Sequence, residues 1–88
     1  MPYIFRFTKE FVKNQSNLPE HLKNLFKVKG DLFFANPFES SLKTHKLNGK
    51  LKDYWAFSVN HKYRVIFLIE ADVITFISIG RHDIYNRF

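Results

Sequence analysis

Residues 55–88 read WAFSVNHKYRVIFLIEADVITFISIGRHDIYNRF, and this stretch decides the fold. Runs of aromatic and β-branched residues alternate in it with short polar breaks, the pattern of strands joined by tight turns. The runs predict strands at about Tyr54 to Val59, Tyr63 to Ile69 and Val73 to Ile79. Because breaks as short as Asn60-His61-Lys62 and Glu70-Ala71-Asp72 make hairpins, these strands must run antiparallel.

The chain ahead of this stretch begins with a further strand and a short helix. Tyr3 to Phe7 is rich in aromatic residues, so it predicts a first strand. Thr8 can cap a helix from Lys9 to about Gln15, with Phe11 and Val12 as its apolar side.

A second helix is predicted from its capping residues and its apolar spacing. Asn17 and Glu20 form a capping pair with Pro19 in the first turn, and Asn36-Pro37 ends the helix. The apolar residues recur every three or four positions and form one buried stripe: Leu18, Leu22, Leu25, Phe26, Leu32 and Phe33.

The element order is therefore βααβββ, in a single domain of residues 1–88. We expect an α+β fold, a two-layer sandwich in which the two N-terminal helices pack on a mainly antiparallel four-stranded sheet. Phe38 to Asp53 is predicted to be a connection with Gly49 at a tight turn.

Composition favours a folded cytoplasmic protein. The chain is 45% hydrophobic and holds eleven Phe, which makes it too apolar to be disordered. It has no cysteine, which excludes a disulfide framework and a cysteine zinc site and suits a reducing cytosol. Since the sequence displays neither a signal peptide nor a run long enough to span a bilayer, we expect no membrane interaction.

The net charge of +6 is unevenly distributed. Residues 1–42 carry six Lys or Arg against four Asp or Glu. Residues 43–64 carry six basic residues against Asp53 alone: Lys43, Lys46, Lys50, Lys52, Lys62 and Arg64. Such a patch predicts binding to a polyanion such as nucleic acid, or to an acidic protein partner. A solvated lysine-rich loop is the alternative.

Two arginines are the first candidates for a site. Arg64 lies near the start of one strand and Arg81 directly after the end of the next, so the hairpin should bring them to the same end of the sheet. Paired guanidinium groups suit a phosphate, which accepts bidentate hydrogen bonds from the planar fork. The alternative is that Arg64 is structural and pairs with Asp83 or Glu39.

His45, His82 and Tyr85 are the candidates for proton transfer and stacking. His45 lies in the basic connection and His82 beside Arg81, and histidine exchanges protons near neutral pH. Tyr85 could stack on a base or orient a phosphate, or pack the tail onto the sheet together with Phe88. His21 is interpreted as a surface residue.

These groups permit metal-free RNA cleavage: a base to activate the ribose 2′-OH, cations to stabilise the phosphorane and an acid for the leaving 5′-oxygen. DNA lacks the 2′-OH and would resist this route. The histidines and carboxylates lack the spacing of a metal site, so neither a metal nor another cofactor is expected.

Three segments resemble the RelE/ParE superfamily of bacterial toxins from type II toxin–antitoxin systems, and in particular its RelE/YafQ-like branch. They are His45-Lys46-Leu47-Asn48-Gly49 with Tyr54, Tyr63-Arg64-Val65-Ile66-Phe67, and Ile79-Gly80-Arg81-His82-Asp83-Ile84-Tyr85. The resemblance implies the βααβββ fold and an mRNA endonuclease that acts in the ribosomal A site, with contacts to 16S rRNA. It also implies a cognate acidic antitoxin as partner, and no DNA binding by the toxin alone.

Residue by residue, the resemblance makes Arg64 the arginine that holds the scissile phosphate and Arg81 the basic residue after the last strand's glycine. It makes Tyr85 the catalytic or stacking tyrosine, and His45 and His82 the histidines of the YafQ-like branch. We expect the RNA to contact the following surface residues: Lys43, Lys46, Lys50, Lys52, His61 and Lys62.

The chain departs from RelE proper on the strand after Gly49, where Trp55 and Phe57 replace lysines. The general base would then be His45, His82 or Lys52. The resemblance leaves two alternatives to an mRNA endonuclease: a ParE-like toxin that inhibits DNA gyrase without cutting nucleic acid, and a weakly active protein that mainly binds an antitoxin.

Overall fold

Two helices lie on one face of a five-stranded sheet in the computed structural model of the chain, which confirms the predicted two-layer α+β class. The structure describes the backbone of residues 2–87 and the side chains of all these residues except His82, Asn86 and Arg87. The strands are β1 (Ile4–Phe7), β2 (His45–Lys46), β3 (Trp55–Ser58), β4 (Tyr63–Glu70) and β5 (Val73–Arg81). The helices are α1 (Lys9–Ser16) and α2 (Glu20–Ala35), and short 3₁₀ turns form at Ser40–Leu42, Gly49–Leu51 and His82–Arg87.

The strands are ordered β1-β5-β4-β3-β2. Strands β3, β4 and β5 pair antiparallel, as predicted. Strand β2 also pairs antiparallel with β3, and β1 pairs with β5 in parallel. The sheet has one strand more than expected because His45 and Lys46 pair with Ala56 and Trp55 inside the predicted connection. Two residues are too few to show the alternation that marks a strand in sequence.

A β-bulge interrupts the pairing of β4 with β5. Phe67 lies opposite Phe76 whereas Ile66 lies opposite Ser78, so Ile77 is the extra residue. The Ile77 carbonyl accepts a hydrogen bond of 2.8 Å from the Thr8 side chain at the start of α1. Because of the bulge, the register from Ile66 to the end of the hairpin is shifted by one residue.

The core lies between the helices and one face of the sheet. Phe33 of α2 is fully buried and stacks on Phe57 with ring centroids 4.5 Å apart, and it also meets Phe67 and Phe76 edge to face. Side chains alternate between the two faces of a strand. The opposite face, here called the outer face, is therefore formed by the alternate residues Ala56, Ser58, Arg64, Ile66 and Gly80.

The helices begin and end close to the predicted residues, but the predicted cap of the second helix was wrong. Thr8 caps α1 as expected, and its hydroxyl accepts the Phe11 N–H at 3.0 Å. Asn17 does not form a capping pair with Glu20. It is the C-cap of α1, where its N–H bonds to carbonyls of the last turn, and α2 begins after Pro19 without a side-chain cap.

Two residues assigned to the apolar sides of the helices are exposed. Val12 is 53% exposed and Leu32 is 36% exposed, because each helix turns only a narrow side toward the sheet. Gly30 is buried and continues α2 without a break. Within residues 2–87, no helix is both long enough and apolar enough to cross a membrane.

Candidate functional site

Asn60 shapes the tip of the hairpin between β3 and β4. Its side-chain carbonyl accepts hydrogen bonds from the N–H groups of Lys62 and Tyr63, both at 2.8 Å. This turn chemistry is common for asparagine, and it fixes the backbone just ahead of Arg64. The sequence indicates a turn at this position but not the part that Asn60 plays in holding the arginine.

Arg64 is anchored by polar groups of its own hairpin. Its Nη1 donates to the Ser58 hydroxyl at 3.0 Å and to the Asn60 backbone carbonyl at 3.2 Å. Among the described residues, no ion pair joins Arg64 to Asp83 or to Glu39. The Glu39 carboxylate instead accepts the Ser41 N–H at 2.9 Å. Since neither of these carboxylates pairs with Arg64, its charge and its further N–H groups are available to an anion.

Tyr85 lies against Arg64 on the outer face. Burial raises the pKa of the Tyr85 hydroxyl above its usual 10.0, although the charge of Arg64 and its hydrogen bond to the phenol pull in the opposite direction. The hydroxyl is therefore protonated at neutral pH. It can donate a hydrogen bond or a proton, but it cannot serve as a general base there.

Gly80 allows the C-terminal turn to lie on the sheet. It pairs with Arg64, and a Cβ at this position would overlap the Cγ2 atom of Ile84. Ile84 is only 6% exposed, so it is packed firmly at this point. The close approach of Ile84 to the bare Gly80 backbone places the next residue, Tyr85, beside Arg64.

A cleft of about 250 Å³ opens beside Arg64 where β3 extends past β2. This Arg64 cleft is lined by Lys29, Ser41, Lys43, Ser58, Val59, Asn60, His61 and Arg64. No carboxylate is found among these described lining residues. Lys29, on α2, was not predicted from the sequence, because its approach to Arg64 depends on how the helix crosses the sheet.

Arg64 and Arg81 lie on opposite faces of the sheet, so their guanidinium groups do not form the expected pair. Their backbones meet at the same end of the sheet as expected, but Arg64 pairs with Gly80 and Arg81 pairs with Tyr63. Neighbouring residues of a strand point to opposite faces, so Arg81 points to the helix side. Arg81 lines a different cleft, together with His21 at the start of α2.

His45 shares the outer face with Arg64. It pairs with Ala56, and Ala56 pairs with Ile66, which follows Arg64 by two positions on β4. Its exposed ring is held by a contact of 2.9 Å between Nδ1 and the Lys43 carbonyl. Two strand spacings separate β2 from β4, so His45 lies on the order of 10 Å from Arg64.

The lysines expected to bind RNA do not form one patch. Lys43 lines the Arg64 cleft and Lys62 the cleft of Arg81. Lys46 lies at the other end of the sheet, in a cleft that also contains Asp53 and Glu70. Two more are exposed on and just after the 3₁₀ turn Gly49–Leu51: Lys50 and Lys52. His61 lines the clefts of both arginines.

The remaining predictions concern His82, the two aromatic residues of β3 and metal binding. The predicted role of His82 depends on a side chain that lies outside the described residues. Trp55 and Phe57 lie on the helix side, so β3 contributes only Ala56 and Ser58 to the outer face beside Arg64. Strand β3 contains no lysine, so it places none beside Arg64. The described residues contain no group of three His, Asp or Glu arranged to hold a metal ion.

Solved toxin structures share this fold. YafQ from E. coli strain BL21(DE3) matches with a TM-score of 0.75 at 19% identity, over 94% of this chain and 97% of that one. The E. coli DinJ-YafQ toxin-antitoxin complex contains a chain that matches with a TM-score of 0.77 at 18% identity, covering 96% and 97% of the two chains. The archaeal RelE-RelB complex from Pyrococcus horikoshii OT3 gives 0.72 at 23% identity, over 92% and 96%.

A comparison with family models assigns the chain to one protein family, whereas the structural matches show only the fold. No curated protein matches the chain significantly. The model described as the bacterial toxin of type II toxin-antitoxin system, YafQ, matches residues 2–86. Because this match spans almost the whole chain, the protein belongs to the YafQ family of type II toxin–antitoxin toxins.

Proposed function

We propose that this toxin is an endoribonuclease that cuts mRNA on the ribosome without a metal ion, and so inhibits translation in the cytoplasm. The observation that carries the proposal is the contact of a protonated, partly buried Tyr85 with Arg64, which itself lines a cationic cleft. A guanidinium can bind the scissile phosphate and stabilise the negative charge that develops on it.

The reaction needs a base and an acid on opposite sides of the phosphorus. The ribose 2′-oxygen attacks the phosphorus and loses its proton to a base, while the bond to the 5′-oxygen breaks and that oxygen gains a proton. The products are a 2′,3′-cyclic phosphate and a free 5′-hydroxyl. Tyr85 is suited to donate a proton or a hydrogen bond because its raised pKa keeps it neutral.

The base is assigned to a histidine, His45 or His82. His45 lies on the outer face with Arg64, at a distance that leaves room for the ribose and phosphate of a bound nucleotide. His82 follows β5 directly in sequence. Lys52 is the less suitable candidate, because it is exposed beyond the turn that follows β2.

An acidic antitoxin is the proposed protein partner. Solved relatives include toxin-antitoxin complexes, DinJ-YafQ and RelE-RelB. Lys29, Lys43 and Arg64 line the Arg64 cleft, and no carboxylate is among its described lining residues, so an acidic segment bound there would neutralise these charges and block the cleft. The mRNA on the ribosome, with contacts to 16S rRNA, is the proposed substrate complex.

The test is mRNA cleavage on purified translating ribosomes, read by primer extension. Arg64→Ala should lower the cleavage rate by about 100- to 1,000-fold because it removes charge stabilisation of the phosphorane. Tyr85→Phe should lower it by about 100-fold because it removes the proton donor. Arg6→Ala is the control, because Arg6 is exposed on β1, away from both clefts. Intact mRNA with the wild type, combined with inhibited gyrase supercoiling, would refute the nuclease and favour a gyrase inhibitor.

A further inference from the structure

A second cationic cleft lies across the hairpin tip from Arg64, on the helix side of the sheet. This Arg81 cleft has a volume of about 310 Å³. It lies between the start of α2, the hairpin tip and the end of β5, and its lining includes His21, His61, Lys62, Tyr63 and Arg81. Three parts of the chain that are distant in sequence thus bring basic groups to one place.

The charges around this cleft are unbalanced. Arg81 and Lys62 are cations at neutral pH, and the imidazoles of His21 and His61 add ring nitrogens that can donate hydrogen bonds. None of the described lining residues carries a carboxylate. Glu20 precedes the lining residue His21, and Asp83 follows Arg81 by two positions; both are exposed, and neither lines the cleft. Mutual repulsion within such a group would be relieved by a bound anion.

The surface of the cleft fits a phosphate backbone better than a folded protein partner. The basic side chains of His21, His61, Lys62 and Arg81 are exposed. Pro19, Leu22 and Tyr63 also line the cleft, but Leu22 is buried and Tyr63 is half-buried, so Pro19 is the one exposed apolar residue among the described lining residues. Protein interfaces depend on buried apolar anchors at their centre. Nucleic-acid backbones, in contrast, are held by exposed cations and other polar groups that contact phosphate oxygens.

The two clefts are neighbours. Asn60 and His61, at the hairpin tip, line both of them. Arg64 and Arg81 belong to successive residue pairs of strands β4 and β5, but they lie on opposite faces of the sheet. They therefore do not bind one phosphate side by side. A flexible single strand that enters one cleft and passes over the tip would reach the other.

We propose that the Arg81 cleft binds a second phosphodiester of the RNA strand whose scissile phosphate is held by Arg64. This proposal rests on the proposed action on RNA and extends it. Arg81, Lys62 and His21 are then substrate-binding residues that fix the direction of the strand, and they do not touch the reacting atoms. The sequence indicated only that His21 is a surface residue, whereas the folded structure places it in the lining of the Arg81 cleft.

The test is the salt dependence of binding to a single-stranded 2′-O-methyl RNA oligonucleotide, measured by fluorescence anisotropy. This probe cannot be cut because its 2′-oxygen is blocked. Each lost phosphate contact should reduce the slope of log affinity against log salt by about 0.7. We expect Arg81→Gln and Arg64→Gln each to lower the slope by that amount, and the double variant to lower it by about 1.4. Arg6→Gln is the matched control, with the same charge change on the far edge of the sheet.

Four results would overturn the proposal. Equal salt slopes for Arg81→Gln and Arg6→Gln would show that Arg81 makes no second phosphate contact. A salt slope of the double variant equal to that of Arg64→Gln would show that both arginines bind one phosphate. A wild type without salt-dependent RNA binding would also reject it. Unchanged RNA binding with weakened binding of an acidic antitoxin peptide would assign the cleft to the protein partner. Ribosomal mRNA cleavage tests the nuclease separately: a lower slope without cleavage would refute only the nuclease.

Discussion

Replacing Gly80 by alanine should displace the C-terminal turn from the sheet. The added Cβ would overlap Cγ2 of Ile84, a buried and β-branched side chain that has few rotamers with which to move away. Gly80 does not have a positive φ, so the predicted effect comes from this overlap and not from backbone strain. Overpacking of this kind costs about 1–3 kcal/mol of unfolding free energy.

Gly30→Ala provides a matched control of opposite sign. A Cβ at Gly30 would lie 3.8 Å from the nearest atom of Phe26 and 3.9 Å from that of Phe34, which is ordinary van der Waals contact. Since Gly30 lies within α2, alanine should stabilise the helix by about 0.5–1 kcal/mol. Urea unfolding of the two variants therefore compares the same substitution at a buried glycine and at a half-buried one, and the midpoints should move in opposite directions.

The same substitution at Gly80 should also impair RNA cleavage, because movement of Ile84 carries Tyr85 away from Arg64. Ile84→Ala removes the overlapping methyl group, so Gly80→Ala should cost at least about 1 kcal/mol less in that background than in the wild type. A Gly80→Ala variant as stable and as active as the wild type would refute the reasoning. An identical cost in both backgrounds would show that Ile84 is not its cause.

Further predictions concern the core, the hairpin tip and the tyrosine. Phe33→Ala should lower the unfolding free energy by about 3–5 kcal/mol because its ring is fully buried among other rings; a loss below about 1 kcal/mol in urea would contradict this packing. Asn60→Ala should cost about 1–3 kcal/mol through two lost backbone hydrogen bonds, and unchanged urea stability would contradict it. Burial favours the neutral form of Tyr85, so folding raises its pKa above the value of 10.0 in the unfolded state. The contribution of the neutral phenol to the free energy of unfolding is therefore complete below pH 10.0 and is lost as the pH rises through the higher pKa of the folded state. Unfolding on either side of pH 10.0 should therefore show a steeper alkaline loss for wild type than for Tyr85→Phe, and parallel curves would count against the buried phenol.

Local patterns were sufficient for most of the fold. Alternating apolar runs and two short polar breaks predicted the hairpins of β3, β4 and β5, because strand period and turn chemistry depend on neighbours in sequence. Thr8 was correctly predicted as the cap of α1 for the same reason. Asn17 was misassigned, since a cap residue can end one helix or begin the next, and only the path of the chain between the helices decides which.

The candidate site was predicted only in part. Arg64 and its position at the end of the sheet followed from the hairpin, and the match to the YafQ family supports the interpretation of the chain as a toxin. Lys29 and His21 were not predicted as members of the clefts, because their approach depends on how α2 lies over the sheet. Such contacts join residues far apart in sequence and leave no local pattern.

The sequence alone determined that the hairpin of β4 and β5 brings Arg64 and Arg81 to one end of the sheet. The tertiary structure decided which face each arginine occupies. In the register that begins at the turn, Arg64 would lie opposite Ile79, and its side chain would share a face with Arg81. The extra residue Ile77 shifts the pairing to Gly80 and turns Arg81 to the other face. Thr8 binds the Ile77 carbonyl from a position 69 residues away in sequence, a contact that exists only once the chain has folded.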